Sequence, residues 1–104
     1  MNLSDLGRFS DPALLILASL AGGTKHGYAM IVDIERLSGV RLGPGTLYGA
    51  LTRLTERGLI EALPASDRRH PYCLTPLGQS VLREQLTRLE QFASLGLQRL
   101  EATL

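Results

Sequence analysis

The chain has 104 residues, 44% of them hydrophobic but with no Trp and only two Phe, and a net charge of +1. This suits one domain with one modest core, and near-neutral charge means that any binding face must come from geometry rather than bulk charge. No apolar run approaches the roughly 18 residues that span a bilayer, no secretory signal pattern opens the chain, and the single Cys73 excludes an internal disulfide framework or a cysteine-rich zinc site, so a cytoplasmic protein without metal or other cofactor is expected.

The first predicted helix lies in "DPALLILASLA", residues 11–21, with Asp11 as N-cap and Pro12 at the first helical position. Its Leu14, Leu15, Ile16, Leu17 and Leu20 make it apolar nearly all round, as a central buried helix should be. Gly22 and Gly23 close it, and a second helix runs from about Lys25 to Ser38 with Met30, Ile31, Ile34 and Leu37 at helical spacing. "VRLGPG" reads as a turn. The third helix, 44–57, carries Leu47, Leu51 and Leu54 in one narrow stripe, so Thr46, Tyr48, Gly49, Thr52, Arg53 and Glu56 form a free face. Gly58 ends it. "LIEAL" and "PYCL" read as short strands joined by "PASDRRH". Pro71 lacks a ladder donor, so the second strand must start late or lie at an edge.

Thr75 and Pro76 open a last helix in which Leu82, Leu86, Leu89, Ala93, Leu97, Leu100 and Leu104 advance in steps of four and three, close to a heptad seam. Such a helix either folds back on the core or pairs with a second copy. In so small a chain the second copy is the better expectation. Three helices, a hairpin and a long helix make a mainly α chain with a small β-hairpin: a winged helix-turn-helix followed by a long C-terminal dimerisation helix.

The stretches "HGYAM" at 26–30, "PGTLYGALTRLTERGLIE" at 44–61 and "RRHPYCLTPLG" at 68–78 together resemble the PadR family of bacterial transcriptional regulators. Related MarR-like regulators also end the wing in "LTxxG", but they usually carry a longer N-terminal helix and a different recognition sequence. The resemblance implies a homodimer that binds double-stranded DNA at a two-fold-related operator, usually as a repressor. It implies a DNA-binding winged helix over 1–75 and a dimerisation helix over 76–104, joined as one structural unit. The short tail resembles the subgroup in which one C-terminal helix makes the dimer. It also implies that Tyr28 reaches the DNA backbone or braces the recognition helix.

Read physically, the third helix would enter the major groove, with the hairpin tip, 64–71, on the minor groove or backbone. Thr46 and Thr52 suit phosphates, bases or a thymine methyl, and Arg53 suits a guanine edge or a phosphate. The Gly45 entry exposes backbone N–H groups that favour a phosphate. Gly49 costs helix stability, as a surface approached closely by another backbone would require. Lys25 reads as a phosphate contact. Arg68 and Arg69 suit a narrow minor groove, tempered by Asp67 beside them. His26 reads as an N-terminal polar residue rather than a pH switch, and Cys73 as a small apolar filler.

No metal-ligand spacing, phosphate loop or nucleophile elbow is present, so an enzyme is not expected. The alternative is a winged-helix module that binds protein without DNA. No effector can be named. Phe92 is the only aromatic of the long helix, which does not favour an aromatic stacking pocket.

Overall fold

The computed structural model describes residues 11–65 and 69–103. Arg68 and Leu104 therefore lie outside the described residues, as do Asp67 and the first ten positions. The elements follow the expected order: α1 (Pro12–Ala21), α2 (Gly27–Ser38), α3 (Pro44–Glu56), β1 (Ile60–Ala62), β2 (Tyr72–Leu74) and α4 (Pro76–Ala102).

Asp11 caps α1, its carboxylate accepting the Ala13 N–H at 3.0 Å, and Pro12 takes the first helical position. The apolar circumference of α1 places it at the centre, in contact with α2, α3, β2 and α4. Around it close Met30, Ile31 and Ile34 of α2 and Leu47, Ala50, Leu51 and Leu54 of α3, all buried. The α2–α3 connection is more than a turn, since Leu42 is buried and Val40 packs against the same core. α2 begins two residues later than expected because Lys25 and His26 are extended, with His26 at the N-cap.

α3 stops at a left-handed glycine. Gly58 has φ 74°, its N–H reaches the Thr55 carbonyl at 3.0 Å, and the next N–H, of Leu59, reaches Leu54 at 3.0 Å. This is the two-bond arrangement in which glycine closes a helix without a Cβ penalty. The chain then enters the antiparallel hairpin with Ile60 opposite Leu74, Glu61 opposite Cys73 and Ala62 opposite Tyr72. β2 starts late, at Tyr72, directly after Pro71. Proline still contributes its carbonyl, which accepts the Leu63 N–H at 2.8 Å. On its other side β2 pairs with Lys25, which donates its N–H to Tyr72 at 3.2 Å and accepts from Tyr72 at 2.8 Å.

Thr75 joins three elements. Its hydroxyl donates to the Gly58 carbonyl at 2.6 Å and accepts the Gly78 N–H at 3.0 Å, while its own N–H reaches Leu59 at 3.2 Å. One turn on, a Cβ at Gly78 would enter the Leu59 carbonyl. The start of α4 is thus clamped against the end of α3. The clamp corrects one expectation: Leu82, assigned to the dimer seam, is only 5% exposed and belongs to the core of its own chain. Past it, Leu89 is half-buried and every described residue from Glu90 to Thr103 is exposed. α4 has 27 residues, about 40 Å of helix, and no other element among the described residues covers its distal half. Among the described residues no helix is long and apolar enough to cross a membrane.

Candidate nucleic-acid interface

Gly43 is the N-cap of α3 but has no side chain to cap with, and Pro44 has no N–H. The first helical bond runs from Leu47 to the Gly43 carbonyl at 3.0 Å. The Gly45 and Thr46 N–H groups therefore face outward without an intrahelical partner, a start suited to an anion. Both residues are exposed, as are Tyr48, Thr52 and Arg53, while Gly49 is half-buried. Thr52 donates its hydroxyl proton to the Tyr48 carbonyl at 3.0 Å. What it offers a partner is its oxygen as acceptor and its methyl group.

The N-terminus of α2 lies beside this face. Gly27 is buried, and a Cβ there would press on the Tyr48 ring and Leu47. Tyr48 thus lies across the first turn of α2 while staying half-exposed. Together His26, Gly27, Tyr28, Tyr48, Arg69, His70 and Tyr72 line a recess of about 390 Å³ between the helices and the base of the hairpin. Among the described residues its lining includes all three tyrosines and both histidines of the chain, and no carboxylate. Tyr28 is 69% exposed at its edge. A cation from Arg69, phenol donors and the positive end of α2 suit an anionic partner.

The fold thus brings Tyr28, Gly45, Thr46, Tyr48, Gly49, Thr52, Arg53 and Arg69 to α3 and the recess beside it. It does not bring Lys25, whose ammonium turns inward to the Ser19 carbonyl at 2.6 Å and the Gly23 carbonyl at 3.2 Å. The expected phosphate contact by Lys25 does not fit this placement, because the α1 C-terminus already holds the charge. His26, His70 and Tyr72 were not among the expected interface residues. Tyr72 reaches the recess only through the pairing of β2 with Lys25, which no local sequence period encodes.

Residues 16–84 match the transcriptional regulator PadR-like family. The chain belongs to that family. Its members are transcriptional regulators rather than enzymes, and the "HGYAM", "GTLYGALTRL" and "LTPLG" stretches of this PadR-like chain form the start of α2, the body of α3 and the Thr75–Gly78 clamp. It is 35% identical over 83 residues to a transcriptional regulator of Mycobacterium tuberculosis, covering 77% of each chain. It is 47% identical over 78 residues to an uncharacterized 37.1 kDa protein in a transposon of Streptomyces fradiae, covering 75% of this chain but 23% of that protein. The fold is shared with a PadR family transcription regulator from Clostridium difficile, at TM-score 0.74 and 24% identity over 86% of this chain and 97% of that one.

Proposed function

We propose that this PadR-like chain is a homodimeric, sequence-specific DNA-binding repressor that sets α3 in the major groove and its hairpin tip on the minor groove or backbone. The observation that carries the reading is the continuous surface from the free face of α3 into the recess lined by Arg69, the tyrosines and the histidines. The exposed N–H groups of Gly45 and Thr46 take a phosphate. Tyr28 and Tyr48 donate to phosphate oxygens beside it. Arg53 and Thr52 meet base edges, Arg53 as a forked donor and Thr52 as an acceptor or methyl contact. Gly49 lets the backbone approach. Arg69, with Arg68 next to it in sequence, follows the minor groove.

Dimerisation uses the exposed part of the α4 seam: Leu86, Leu97 and Leu100 are large exposed apolar side chains on it, with Ala93 exposed and Leu89 half-buried between them. Leu104 continues the same repeat. A dimer related by a two-fold axis reads two half-sites about one helical turn apart. Action on DNA places the protein in the cytoplasm, and repression follows the family resemblance.

Selection of bound sequences from a random DNA pool tests binding, symmetry and half-site spacing together. The expected product is an inverted repeat whose affinity falls steeply with salt, with a slope of about −0.9 per neutralised phosphate. A flat salt response, or no enriched sequence, overturns the reading in favour of a protein-binding winged helix. A reporter driven through the selected site shows the direction of regulation: repression predicts lower output with the protein present.

A further inference from the structure

Lys25 is tied to three elements at once. Its ammonium holds the last carbonyls of α1, those of Ser19 and, in the following turn, Gly23, at 2.6 and 3.2 Å. It lies 3.8 Å from the Asp33 carboxylate of α2, with its side chain 20% exposed. Ser19, itself 1% exposed, donates its hydroxyl to the same Asp33 oxygen at 2.6 Å. The Lys25 backbone meanwhile pairs in both directions with Tyr72 of β2. Tyr72 lines the recess with Arg69 and His70, so the strand that Lys25 holds is the one that carries the wing.

We propose that Lys25, Asp33 and Ser19 are positioning residues that fix the hairpin relative to α2 and α3, and so set DNA affinity without touching DNA. This rests on the DNA-binding reading above. The physical reason lies at the tip end of the hairpin, beyond the core packing of Ile60 and Leu74, where Tyr72 meets Lys25. β1 and β2 have three residues each, and a two-stranded hairpin is marginal alone. Pairing with Lys25 supplies a third neighbour. The charged bonds of the ammonium keep that neighbour at the negative end of α1.

The brace predicts an effect of unusual sign. Asp33→Asn removes a negative charge and, by Coulomb attraction alone, strengthens binding to DNA. As a brace its loss weakens binding, by about fivefold, and Ser19→Ala, which changes no charge, weakens it in the same direction. Both are measured on the selected operator, below each variant's thermal transition, beside a wing variant carrying Arg68→Ala and Arg69→Ala. In the wing-variant background Asp33→Asn and Ser19→Ala are expected to cost nothing further, because they act through the wing. Faster hydrogen exchange at the Tyr72 amide, with α3 amides unchanged, is the accompanying signature. Unchanged or tighter binding by Asp33→Asn, or losses that add to those of the wing variant, overturn the brace. Absence of operator binding by the unaltered protein fails the DNA reading itself, a result distinct from strong binding that Asp33→Asn leaves intact.

Discussion

Gly49 lets folding and binding be separated within α3. A Cβ placed there meets only the Arg53 guanidinium, at an ordinary 3.6 Å. The fold does not need the glycine, so Gly49→Ala is expected to stabilise the chain by about 0.5–1 kcal/mol and raise its melting temperature. Affinity for the selected operator is expected to fall in the same variant. A stabilised Gly49→Ala protein with undiminished affinity would show that nothing approaches this position. Arg53 is expected to act on sequence choice: Arg53→Ala costs about 1–3 kcal/mol on the preferred site and less on random duplex. Equal losses on both, measured by mobility shift, would make Arg53 a backbone contact. The stripe of Leu47, Leu51 and Leu54 was legible because a helical period displays it directly, though Ala50 completes the buried face unannounced. The inward turn of the Lys25 ammonium was not legible, for a physical reason. A lysine before a helix is drawn to whichever carbonyls the preceding turn presents, and that turn's shape is not written in local periodicity.

At the scale of elements, α4 is one helix with two environments. Leu82 and Leu97 share the seam, yet the first is 5% exposed and the second 61%. Leu82→Ala is therefore expected to destabilise the folded chain by about 2–5 kcal/mol, as a core truncation does. Leu89→Glu combined with Leu97→Glu is expected to leave a folded monomer, read by sedimentation alongside circular dichroism; an intact dimer would move the interface off this seam. The repeat in the sequence runs through both halves without a break, because the same leucine spacing serves a core and an interface equally. Only the clamp distinguishes them. Thr75 and Gly78 were legible as a helix start, but the demand for glycine was not, since it comes from the Leu59 carbonyl, distant in sequence. Gly78→Ala should accordingly lower thermal stability far more than the small propensity gain of alanine can offset.

For the whole molecule, the order of elements and their bounds followed from caps, glycines and apolar period, within a residue or two. What did not follow was the lateral assembly: the pairing of β2 with Lys25, the recess it creates, and the core residues supplied by the α2–α3 connection. These join segments distant in sequence and depend on packing around α1. The clamp at Thr75 has a further consequence for the proposed dimer. A helix of 27 residues is a lever about 40 Å long, and a tilt of about 5° at its root would carry its far end about 3.5 Å. That displacement is close to one base-pair step, since about 34 Å spans roughly ten base pairs. Hinged loosely, two such levers would accept half-sites at several separations. Pinned through a hydroxyl and a carbonyl that leaves no room for a methyl group, they act as a ruler, and the interval they measure becomes part of the sequence that is read.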